Sequence, residues 1–124
     1  MYVLDAIICN TDRHLSNFGF LIDNKTNKIA APAPLFDHGN ALFNFAGRDD
    51  LENEQALTKY AATLLPCTYD DFIGIAQKVL TSEQRSGLRQ LLNFRFKRHA
   101  RYNLPVERLN LLEKQVRVRV AQLL

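Results

Sequence analysis

Four prolines, at positions 32, 34, 66 and 105, set the limits on what this chain can fold into. Proline locks φ and has no N–H to donate, so it is excluded from helix interiors and from central strands. Pro66 stops a helix contained within Leu51 to Leu65. Pro105 stands at a helix start, where its missing N–H costs least. The last helix then runs to about Leu123, with Leu109, Leu112, Val116, Val120 and Leu123 on one face. Pro32 and Pro34 forbid ladder pairing through their nitrogens and hold a stiff, extended approach to Leu35-Phe36-Asp37.

The segments between these marks have readable periods. Tyr2 to Cys9 has helical spacing, with Val3, Ala6 and Ile7 on one side. Asn10-Thr11-Asp12 breaks it with residues that favour turns and caps. Phe18 to Ile22 is a short apolar strand, Asp23 to Asn27 is turn chemistry, and Lys28 to Ala31 returns, which makes a β-hairpin. Asn40 to Phe45 reads as a short strand or turn, and Gly47 to Asp50 as a loop. Thr68, with Asp71 three positions later, resembles a capping box and opens a helix over Tyr69 to Leu80 with Phe72, Ile75, Ala76 and Val79 as its buried stripe. Thr81 or Ser82 caps a longer helix ending near Arg101 and burying Leu88, Leu91, Leu92 and Phe96. The expected class is mainly α with one small hairpin (α+β), a single domain over residues 1–124. Residues 1–45 carry the loop and hairpin, and residues 46–124 are helical.

Apolar content of 47% and mixed charge argue for a folded globular chain. Cys9 and Cys67 form no disulfide framework and no metal-ligand spacing, so they are expected reduced and buried in a cytoplasmic protein. No apolar run reaches transmembrane length. The net charge of +3 is unevenly spread. Residues 1–77 hold five Lys/Arg against ten Asp/Glu, and residues 78–124 hold eleven against three. An acidic front half suits hard-cation binding. The basic back half reads as solvated helix faces or, less specifically, as a surface for nucleic acid, an acidic protein or phospholipid.

The candidate chemistry lies in Asn10-Thr11-Asp12-Arg13-His14-Leu15-Ser16-Asn17-Phe18-Gly19, followed by Phe36-Asp37-His38-Gly39. Phosphoryl transfer needs an oriented hydroxyl and neutralised phosphate charge, and little covalent help. Asp12 suits the hydroxyl, Asn17 offers a neutral amide oxygen to a divalent cation, and Asp37 offers an anionic one. The hairpin returns the chain, so that Asp37 can lie beside Asn17. Asp12-Arg13-His14-Leu15-Ser16-Asn17 resembles the catalytic loop of phosphatidylinositol 3- and 4-kinases. Together with Asn10-Thr11, Asn17-Phe18-Gly19 and Ala33-Pro34-Leu35-Phe36-Asp37, it is more similar still to bacterial HipA-like serine/threonine kinases. The resemblance spans Asp5 to Leu42.

That resemblance implies a protein-kinase-like C-terminal lobe. In it Asp12 would be catalytic, and Asn17 and Asp37 would hold Mg²⁺ and, through it, ATP. His14 would lie near the transferred phosphate, and Arg13 would be structural or near the phosphates. The acceptor would be a protein or lipid hydroxyl. Only Met1 to Cys9 precede the loop, so the chain reads as lacking a nucleotide-binding N-lobe and is expected to be inactive alone. It would work with a separately encoded N-lobe, self-associate, or serve as a non-catalytic interaction module. A nucleic-acid-binding helical domain is the third reading. Asp5 would either brace the loop by accepting backbone N–H bonds or face solvent. His38 reads as a packing residue and His99 as solvated on a basic helix.

Overall fold

The computed structural model describes residues 1–124 as a mixed α+β fold. Five α-helices, α1 (Tyr2–Ile8), α2 (Glu54–Thr63), α3 (Phe72–Val79), α4 (Ser82–Leu88) and α5 (Val106–Leu123), accompany one antiparallel hairpin of β1 (Phe20–Asp23) and β2 (Lys28–Pro32). Single 3-10 turns occupy Leu15–Asn17, Asp49–Leu51 and Arg89–Asn93. No helix is long and apolar enough to cross a membrane.

The expected stripe of α5 organises the interior. Leu112, Val116, Val120 and Leu123 are buried and belong to one apolar cluster with Ala6 and Ile7 of α1, Leu57 and Ala61 of α2, and Phe72 and Ala76 of α3. Each such aliphatic side chain contributes about 1.5–3 kcal/mol when fully buried, so α5 is the post on which α1, α2 and α3 lean. Polar contacts fix the register. Arg119 on α5 donates to Ala6 O at the end of α1 and lies over the Phe72 ring of α3. Gln115 reaches Thr58 on α2 at 2.8 Å. Arg85 of α4 donates to Leu123 O and Leu124 O, where its charge also complements the helix C-terminus.

Several boundaries differ from the sequence reading. The helix expected to run to Arg101 ends at Leu88, and only a 3-10 turn follows. From Phe94 the chain is extended because α5 competes for its backbone. Phe96 N–H donates to Glu113, and Arg117 donates to Phe94 O. Leu92 is exposed, while Leu91 and Phe96 are half-buried, and His99 lies in a loop stacked on Tyr102. The expected capping box at Thr68 does not form. Asp71 itself caps α3, accepting from Ile73 N–H and Gly74 N–H, and Thr68 bonds the loop instead. The true capping box is Thr81 with Gln84 on α4. Val79 is exposed, as is Cys67, contrary to the expectation that both cysteines are buried. Residues 40–45 form turns, with Leu42 and Phe43 both at positive φ.

The hairpin starts two residues later than read. Phe20 pairs with Pro32 and Asp23 with Lys28, with a bulge between Leu21 and Ile22. Asp23 holds its turn, accepting from Lys25 N–H, Thr26 N–H and the Thr26 hydroxyl. Those bonds, the Thr26 backbone bond foremost, hold the Asp23 carboxyl below its usual range. All four residues of β1 are exposed. The hairpin projects from the helices with both faces in solvent.

Candidate functional site

Helix α1 ends at Cys9, whose left-handed backbone (φ 55°) turns the chain without a glycine. This places Asn10 and Arg13 in the interior beside Asp5, and all three side chains are buried. Arg13 Nε lies 3.0 Å from Asp5 Oδ2, and Arg13 Nη2 lies 3.0 Å from Asp5 Oδ1. Asn10 Nδ2 adds a third donor to Asp5 Oδ1. Asp5 thus braces the loop through side-chain donors rather than through the backbone N–H groups expected.

Arg13 is the hub of the site. Its Nη1 donates to Asn17 O at 2.6 Å and to Phe36 O at 2.8 Å. One nitrogen therefore ties the end of the candidate catalytic loop to the residue before Asp37, which lies 23 residues beyond Arg13. Nη2 also meets His38 Nδ1 at 3.1 Å. Guanidinium is only a donor, so His38 Nδ1 accepts and the neutral ring carries its proton on Nε2. Of the two roles the resemblance allows Arg13, burial selects the structural one, and His38 packs against it as read from the sequence. Outside the loop, Cys67 N–H donates to Thr11 O and the Thr68 hydroxyl to Arg13 O, which strap the loop from the far side.

The candidate residues take up distinct positions around this hub. Asn17 is buried and its Nδ2 donates to Asp12 O at 2.8 Å, so its carbonyl oxygen is the atom left for a cation. Asp12 and His14 are each about half exposed at the loop tip, with His14 Nε2 3.9 Å from Asp12 Oδ1. His14 Nδ1 accepts from Ser16 N–H, so in the neutral ring the proton sits on the Nε2 that faces Asp12. Asp37 is exposed and held at φ 57°, a conformation costly to a non-glycine residue and found at sites that use it. No three His, Cys, Asp or Glu side chains are gathered into one metal-holding group. The donors present are two carboxylates and an amide oxygen, the oxygen chemistry that Mg²⁺ takes.

Beside the loop, a cleft of about 320 Å³ is lined by Tyr2, Arg13, His14, Leu15, Phe18 and Thr68. Edge-on against Tyr2, with ring centroids 5.1 Å apart, lies Tyr69, whose buried hydroxyl has no partner. Burial, then the nearby charge of Asp5, pushes the Tyr69 phenol well above its ordinary range. Neither Asp5 as charge partner nor Tyr69 as neighbour was legible beforehand. The only signal was a lone acid, Asp5, in an otherwise apolar short helix. No family model matches this sequence, no curated protein matches it, and no solved structure matches it.

Proposed function

We propose that this chain is the catalytic-loop half of a HipA-like or phosphatidylinositol-kinase-like phosphotransferase, with a protein-kinase-like C-lobe fold. The observation that carries the reading is Arg13 Nη1, shared between Asn17 O and Phe36 O. It ties the backbone at Asn17 to the backbone just before Asp37, and that link supports the reading that the two side chains share a divalent ion.

In this reading Asp12 accepts the hydrogen bond of the attacking hydroxyl and orients it. His14, protonated on Nε2, donates to a phosphate oxygen beside it. Asn17 Oδ1 and the Asp37 carboxylate would hold Mg²⁺, which would supply charge neutralisation to the phosphates of ATP. The protein's own contribution is a pre-set loop: the buried Asp5–Arg13 pair fixes it before any ligand arrives. A reading that uses ATP fits a cytoplasmic protein. A nucleotide-binding lobe seats on the exposed hairpin, where Phe20, Leu21, Ile22 and Ile29 offer apolar surface. The acceptor is a protein or lipid hydroxyl.

Manganese titration followed by NMR tests the site. Paramagnetic broadening is expected at Asn17 and Asp37 first and is lost in Asp37→Asn. Broadening that ignores this variant would overturn the assignment. The isolated chain is expected to show little phosphotransfer, and robust Asp12-dependent turnover by it would remove the need for a second lobe. A second reading, a non-catalytic interaction module, is favoured by the same uncovered hairpin. Concentration-dependent self-association in light scattering, abolished by Phe20→Ser with Ile22→Ser, would support it.

A further inference from the structure

The chain that leaves Asp37 turns back through Ala41 and Leu42 and forms one wall of a second cleft, of about 400 Å³. The opposite walls are the extended segment after Phe94 and the first turns of α5. Its apolar lining includes Leu42, Phe96, Leu109 and Leu112. Two cations, Lys97 and Arg108, also line it, and no Asp or Glu does. Arg108 is half-buried, and its Nε is shut away from solvent with no hydrogen-bond partner. The chain's other two half-buried arginines differ in this. Arg85 and Arg117 both spend their donors on backbone carbonyls. A charged guanidinium with a nitrogen left without an acceptor is unsatisfied, and a carboxylate entering the cleft meets its charge.

We propose that this cleft binds an acidic peptide segment, in which a carboxylate side chain meets Arg108 and Lys97 while a neighbouring apolar side chain rests on Phe96 and Leu109. Charge complementarity selects the carboxylate. The apolar floor selects a peptide over a nucleic-acid backbone, whose phosphates gain from open cationic surface and need no apolar seat. The cleft needs no phosphoryl transfer to bind, so ATP is left out of the measurement.

The test is fluorescence anisotropy of the full chain with a short fluorescein-labelled peptide of alternating Glu and Leu. Saturable binding is expected, weakening as salt rises. The matching Gln and Leu peptide should bind poorly. Arg108→Gln and Lys97→Gln should each weaken the Glu peptide about tenfold, the loss of one charge-assisted hydrogen bond. Lys97 is exposed, so its variant keeps the fold even where Arg108→Gln disturbs α5. Lys78→Gln, on α3 and outside the cleft, should change nothing. Equal binding of both peptides, or of the Lys97→Gln variant and the parent, would overturn the proposal. So would single-stranded DNA binding tighter than the Glu peptide with the same sensitivity to Arg108→Gln and Lys97→Gln.

Discussion

Replacing Arg13 with Met isolates what the hub contributes, since Met keeps the apolar stem and deletes the charge. In the parent, Asp5 is wholly buried and takes three hydrogen bonds from Arg13 and one from Asn10. The variant leaves a buried carboxylate with Asn10 alone, a loss of about 3–5 kcal/mol for a broken buried pair. Asn17 O and Phe36 O also lose their shared donor, at about 1 kcal/mol each. The sum is comparable with the whole stability of an ordinary domain, roughly 5–15 kcal/mol. Arg13→Met should therefore sit at the edge of folding in urea titrations followed by far-ultraviolet circular dichroism. The companion variant carries Asp5→Leu together with Arg13→Met. It no longer buries an unpaired charge, so it should recover at least about 2 kcal/mol of that loss. A cost below about 1.5 kcal/mol for Arg13→Met, or a double variant no more stable than the single one, would refute the hub.

Three further outcomes follow from groups outside the loop. Burial pushes Glu113 upward, but the bond from Phe96 N–H, the hydrogen bond and charge of Arg98, and the charge of Arg117 outweigh it and hold its pKa below the ordinary value. Its folded pKa is the lower one, so the stability it adds is present above the usual glutamate range and is lost as pH falls toward the folded value. Glu113→Gln should flatten that acid slope in thermal melts between about pH 5 and pH 3, and an unchanged slope would count against the assignment. Tyr69→Phe removes a hydroxyl that is buried without a partner, so urea titration should find stability equal or up to about 1 kcal/mol higher. A loss greater than that would show the hydroxyl to be bonded. Because the phenol is raised in the fold, its contribution is lost as pH climbs above the ordinary tyrosine range, and the Phe variant should resist alkali better. Ellman's reagent should titrate one thiol quickly, that of exposed Cys67, and reach buried Cys9 only in denaturant; two fast thiols would contradict the burial of α1.

Much of the fold was legible because its signals are local. The stripe from Leu109 to Leu123, the Pro66 stop and the hairpin turn each need only their own neighbours, and each appears in place. The misreading of residues 89–101 has the opposite cause. Leu88, Leu91 and Phe96 do carry an apolar rhythm, but Glu113 and Arg117, some 17 and 23 residues on, capture the backbone at Phe96 and Phe94. Thr68 was misread for the same reason, since its hydroxyl serves Arg13 O from 55 residues away. At the candidate site, Asp12, Asn17 and Asp37 are the residues the sequence singles out. The organiser, Arg13, did not. Its partners come from a helix before it and a loop well after it, and no pattern of spacing marks a guanidinium that will end up 1% exposed.

The free-standing hairpin has a mechanical consequence. Two strands with solvent on both faces are marginal by themselves, so β1 and β2 will open far more often than the helices behind them. The Arg13 bond to Phe36 O lies between that restless arm and Asp37. The backbone amides of β1 and β2 should therefore exchange fast, and protection should return at Ala41 and Leu42, whose N–H groups donate to His38 O and Ile8 O. The arm can swing while the carboxylate at its foot keeps its place.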